Sequence, residues 1–156
     1  MKELLEYRVK MLKRLKEAAQ EFHLTCEAIH DPRGMVEGGW TVHQIAAHTR
    51  DVDKFVYGAR IHQTINENNP EFKSFDADEW MLEHYDKEES LSAILDEFTA
   101  TIEELCNSLQ KQDQEIWSRV SRHETIGGEL TVQLWVERSL AHIEEHLQAL
   151  KKAKNK

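Results

Sequence analysis

Residues 131–147, TVQLWVERSLAHIEEHL, set Val132, Trp135, Val136, Ser139, His142, Ile143, His146 and Leu147 at steps of one, three and four. Those steps draw one stripe along a helix of 3.6 residues per turn. Thr131 stands where an N-cap belongs, with Leu130 and Trp135 at the spacing of a hydrophobic staple. The opposite face is polar, so this helix must bury its stripe against other helices. The stripe also carries two histidines where further apolar residues would be expected.

Three other stretches repeat the pattern. Leu4, Leu5, Val9, Met11, Leu12, Leu15, Ala18, Ala19 and Phe22 make a first stripe, and Asp31-Pro32-Arg33-Gly34 ends its helix. The second helix opens at Trp40-Thr41-Val42-His43-Gln44, where Thr41 and Gln44 have capping-box spacing and Trp40 can staple onto Ile45. Its stripe runs Ile45, His48, Val52, Phe55, Ala59 and fades near residues 63–66. A third helix carries Leu91, Ile94, Leu95, Phe98, Ile102, Leu105 and Leu109. Between the second and third lies a connection over residues 66–89, in which Asp76 and Glu79 cap a short helix bearing Trp80, Met81 and His84. Gly127-Gly128 marks the loop before the last helix.

The pattern predicts one all-α domain over residues 1–156, a four-helix bundle, with no strand, repeat or low-complexity segment. Six glycines and two prolines in 156 residues agree with long helices.

The formal net charge is −9. A surface of that sign repels phosphate backbones and anionic lipid, so nucleic-acid and membrane partners are not expected. The start, Met1-Lys2-Glu3-Leu4-Leu5-Glu6, lacks the apolar core of a signal peptide, and no apolar run approaches the roughly 20 residues of a membrane span. The expected location is the cytoplasm. Cys26 and Cys106 form no metal or redox spacing and are read there as buried, reduced thiols.

Of nine histidines, His23, His30, His43, His62 and His84 are read as solvated or capping, and His123, ahead of the glycine loop, as a surface residue, with a place at a pocket mouth as the alternative. His48, His142 and His146 differ because they interrupt apolar stripes. His142 and His146, four apart, share one helix face. Each buried ring must satisfy two nitrogens, and a shared metal ion would satisfy one on all three rings at once. Three histidines hydrogen-bonded in the core without metal is the plainer alternative.

Helix rise supplies a test of direction. His48 lies roughly 11 Å from the start of its helix, and His142 and His146 about 9 to 15 Å from the end of theirs. Antiparallel second and fourth helices bring the rings to one level, whereas parallel ones leave them roughly 5 to 11 Å apart. The antiparallel arrangement requires a crossover between helices two and three, which residues 66–89 are long enough to make.

Trp40-Thr41-Val42-x-Gln44-Ile45-Ala46-x-His48, with His142-x-x-x-His146-Leu147 far downstream, resembles the DinB/YfiT-like family. The likeness covers nearly the whole chain. It implies a four-helix bundle with a divalent metal on His48, His142 and His146: zinc or nickel first, iron or manganese as the other choices. Asp51, three residues after the first histidine, matches an acidic position of some relatives and is the candidate proton acceptor or ring-orienting group. Relatives with known activities use low-molecular-weight thiols, and many others have none assigned. The implied function is a metal-dependent thiol S-transferase or hydrolase acting on a small-molecule electrophile; the sequence leaves the oligomeric state open, a homodimer among the options. The reading from another class is a non-catalytic metal-binding bundle of the stress response.

Overall fold

A computed structural model describes residues 1–154 of the chain. Helix α1 (Lys2–Ala28) is followed by a hairpin of β1 (Met35–Glu37) and β2 (Trp40–Thr41). Helix α2 (Val42–Val52) passes through a π-helical turn (Asp53–Tyr57) into α3 (Gly58–Asn66). The connection holds β3 (Glu71–Phe72) and α4 (Ala77–His84). Helix α5 (Leu91–Lys111), a 3-10 turn (Gln114–Ser118), β4 (Val120–His123), β5 (Gly127–Thr131) and α6 (Val132–Lys154) complete the order.

Side-chain pairs fix the helix directions. Arg8 meets Gln133, Arg14 meets Glu144 and Glu21 meets Lys151, so α1 and α6 are parallel. Lys16 reaches Asn107 while His23 reaches Thr99, so α5 runs against α1. His43 bonds Glu89, and farther along Lys54 bonds Glu97, so α2 and α5 are parallel. His48 meets His142, Asp53 meets Ser139 and Arg60 lies over Trp135, so α2–α3 runs against α6. The bundle is up, down, down, up, and the crossover is the connection between α3 and α5.

The predicted caps form. Thr41 and Gln44 complete a capping box, Asp76 accepts from Glu79 N and Thr131 accepts from Leu134 N. Trp40, expected as a staple, packs its ring edge against His48 at 4.9 Å between centroids. The cysteines are buried and unbridged, and burial pushes both thiols up to about 12.

Three expectations are corrected. On α1, Leu5 and Val9 are exposed; the buried stripe starts at Met11 and runs through Phe22 to Cys26. Strands exist: Gly38 and Gly39, at φ +54° and +85°, make the tight turn between β1 and β2, and β4 pairs parallel with β3 and antiparallel with β5. They hold two to five residues each, too few to show a period of two. The last correction concerns register. The π turn inserts an extra residue into the helix, so the face beyond Val52 rotates. Phe55, assigned to the core stripe, is 45% exposed, whereas Val56 and Arg60 are 6% and 8% exposed. Gly58 makes the turn possible: its N–H bonds Asp53 O five residues back, and a Cβ there would meet that oxygen at 2.6 Å.

Candidate metal centre

His48 reaches the centre from α2, and His142 and His146 reach it from consecutive turns of α6. His142 Nε2 stands 3.1 Å from His48 Nε2 and 3.1 Å from His146 Nε2. Each ring offers a nitrogen to a cluster whose members lie within 4.8 Å of one another, and no fourth cysteine, aspartate, glutamate or histidine joins it among the described residues. Burial, with His146 nearby, lowers the His48 pKa to about 4; burial, with His146 and His48, lowers that of His142 to about 3. Both rings are therefore neutral at physiological pH.

The donor set fits a divalent ion. Two nitrogens sharing one ion at about 2.0–2.1 Å can stand at most about 4.2 Å apart, and both measured separations satisfy this. A neutral ring nitrogen has one in-plane site, either a lone pair or a proton, so His142 Nε2 cannot bond well to both neighbours. One central cation would serve all three rings. Imidazole nitrogens suit zinc, nickel, copper and iron alike.

A pocket of about 340 Å³ opens on His48 and His142. Val52, Val56 and Phe75 give it apolar walls, while Tyr57, Arg60, Ser74, His123 and Thr125 bring polar groups. The tilted ring of Tyr57 packs on His142 at 5.8 Å.

Asp51 is buried behind this wall. Its Oδ1 accepts from Arg50 Nε at 2.9 Å and its Oδ2 from Trp80 Nε1 at 3.1 Å. It has no hydrogen bond to His48 among the described residues. Trp80 stacks on His84 and packs on Phe55 and Phe75, so Asp51 ties α2 to the segment forming one side of the pocket.

Two histidine assignments change. His43 is buried, with Nδ1 on the Tyr85 hydroxyl at 2.5 Å and Nε2 on Glu89 O at 2.7 Å. His123, placed first on the surface, is buried and lines the pocket, which was the alternative. His30, His62 and His84 are exposed and His23 is half-buried. Sequence reasoning also passed over Tyr57, Arg60 and Asp53. The last is only 2% exposed, accepts at Oδ1 from the Ser139 hydroxyl and has no partner at Oδ2 among the described residues, and burial raises its pKa to about 7. Their one signal was Gly58, a helix-interior glycine hinting at an irregular turn.

A family described as the DinB superfamily matches residues 10–150. Among solved structures, YfiT from Bacillus subtilis superposes with a TM-score of 0.85 over 96% of this chain and 87% of its own, at 20% identity. That protein is described as a probable metal-dependent hydrolase with an unusual four-helix bundle topology. At that identity the likeness carries the fold alone. No curated protein matches the sequence significantly.

Proposed function

The chain belongs to the DinB superfamily, and from that premise we propose that it is a metal-dependent enzyme, with His48, His142 and His146 holding one divalent ion and a small-molecule electrophile as substrate. The observation that carries this reading is the convergence of three imidazoles beside a pocket that His48 and His142 line. Three protein ligands with access from solvent are the pattern of catalytic ions, whereas structural ions are closed by a fourth. Bound there, a divalent ion supplies Lewis acidity and makes a nucleophile of water or a small thiol at neutral pH. The reaction class is hydrolysis or thiol transfer.

The chain's own groups do the rest. Their low pKa values keep His48 and His142 unprotonated and free to donate lone pairs. Trp40 and Tyr57 hold the rings of His48 and His142 by an edge contact and a tilted one. Val52, Val56 and Phe75 restrict water around the reacting end. Asp51 is assigned a positioning role: its bond to Trp80 keeps the α4 side of the pocket in place.

The test is elemental analysis of protein purified without a nickel column, followed by assays of activated-ester hydrolysis and of thiol addition. One ion per chain, and a rate abolished by chelation and restored by metal, are expected. Bound metal with no rate difference across a broad panel would favour a non-catalytic bundle. Absence of metal at any supplied concentration would end the reading.

A further inference from the structure

Arg60 is a charge that the metal centre does not explain. It is 8% exposed, its guanidinium lies 4.8 Å from the Trp135 ring and 5.6 Å from that of Phe72, and among the described residues its side chain's one hydrogen bond runs to Lys73 O at 3.1 Å. Among the described residues no carboxylate pairs with it. The titratable groups bearing on it are Tyr57 and a second cation, Arg138. A guanidinium has five N–H donors, and a buried one normally meets an acidic partner. Acidic residues were available in a chain of net charge −9, and half-buried Arg50 pairs with Asp51, Glu89 and Glu97.

His123 presents a matching donor. Its Nδ1 accepts from the backbone N–H groups of Thr125 and Ile126, at 3.1 and 3.3 Å. That nitrogen therefore carries a lone pair, which places the ring's N–H on Nε2. Among the described residues no hydrogen bond engages Nε2, and His123 lines the pocket with Arg60. The two are neighbours by register: Phe72 pairs with His123 between β3 and β4, which sets both side chains on one sheet face, and the Arg60 guanidinium lies over Phe72.

We infer that the pocket binds a small carboxylate, with Arg60 as its anchoring cation and His123 Nε2–H as a second donor. One guanidinium matches one carboxylate in charge and in its two-pronged geometry. A phosphate, at about −1.5 to −2, would leave charge uncompensated. Val52, Val56 and Ile126 leave an apolar space for the body of the molecule. Anchored at Arg60, the ligand's far end lies toward His48 and His142. That this end is where reaction occurs rests on the metal reading above; the binding of the carboxylate does not.

The probe is benzoate, titrated by calorimetry into the full chain as purified and again after chelation, beside neutral benzamide and phenyl phosphate. Benzoate should bind in both states and benzamide in neither. Arg60→Gln should weaken benzoate by about tenfold or more, the loss expected for hydrogen bonds to a charged group, while metal content stays unchanged. Should that variant fail to fold, phenylglyoxal modification of the wild type gives the answer: benzoate should protect Arg60 and leave exposed Arg33 and Arg122 reactive. Equal binding by wild type and Arg60→Gln, or no protection of Arg60, overturns the inference. So does equal binding of benzamide, tighter binding of phenyl phosphate, no response to millimolar benzoate, or binding only when metal is present. A chain that takes up no metal yet binds benzoate through Arg60 would defeat the enzyme reading and leave this one standing.

Discussion

His48, His142 and His146 each occupy a position where an aliphatic side chain would pack without a hydrogen-bond requirement. Part of their cost is offset by one another, and a shared ion would offset more. Replacing His146 by Ala removes one of three donors, so metal affinity should fall by more than about 100-fold, beyond the usual loss for an outer-shell partner. Far-ultraviolet circular dichroism should stay helical. Asp51→Asn removes the charge opposite Arg50 without changing shape, so metal content should persist while any metal-dependent rate falls by about tenfold. Asp53 yields a prediction with a definite sign. Its folded pKa, about 7, lies above the usual carboxylate value, so the folded state prefers the protonated form. Stability from this residue is complete at acid pH and declines as pH rises from about 4 to about 7. Asp53→Asn should therefore raise Tm above neutrality, by an amount worth a few kcal/mol at most, and the gain should vanish near about pH 4. Thermal melts of both proteins across that range check it, and the histidine contributions cancel in the difference. A gain independent of pH would show that Asp53 does not titrate there. The three clustered histidines were legible because each is polar on an apolar stripe. His43 and His123 were not, since their partners, Tyr85 and Glu89 in one case and a tight β-turn in the other, come together only in the fold.

At the scale of elements, the helix starts were the most readable features, because a cap is a local bargain between residues three apart. Thr41 with Gln44, Asp76 with Glu79 and Thr131 with Leu134 all form as their spacing requires. What failed was the assumption of one unbroken α period through the second helix. The π turn at Asp53–Tyr57 exchanges Phe55 for Val56 on the buried face and turns Arg60 toward the pocket. Gly58 is the residue on which that turn depends. In an ordinary helix interior Gly→Ala stabilises by roughly 0.5–1 kcal/mol. Here the new methyl would meet Asp53 O at 2.6 Å, with helical backbone on both sides and no side chain free to yield. Gly58→Ala should therefore destabilise by about 1–3 kcal/mol, measured by urea unfolding. It should also weaken benzoate binding, because relaxing the turn to α geometry rotates Arg60 away. A stabilised variant would mean that the π turn is not enforced from within.

At the scale of the whole molecule, the up-down-down-up order is what lets the histidines meet. The axial levels of His48 and of His142 with His146 agree only if α2 and α6 are antiparallel, and the crossover between α3 and α5 permits it. Arg119 anchors the start of that crossover by donating to Thr64 O and Glu67 O. The ion would thus bridge two helices already joined by Ile45, Val136, Ile143 and the rest of a continuous apolar core. This placement makes metal an addition to stability and not its source. Ligand that binds only the folded chain adds about 2.7 kcal/mol at a hundredfold excess over Kd. For a domain of this size each kcal/mol moves Tm by roughly 2–4 °C. Chelation should therefore lower Tm by about 5–10 °C and leave a cooperative, fully helical melt, while added metal raises Tm with the logarithm of its free concentration. His48→Ala should melt at one temperature with or without metal. Loss of helix on chelation at 25 °C would instead make the ion a structural keystone, and the open pocket beside it would no longer argue for catalysis.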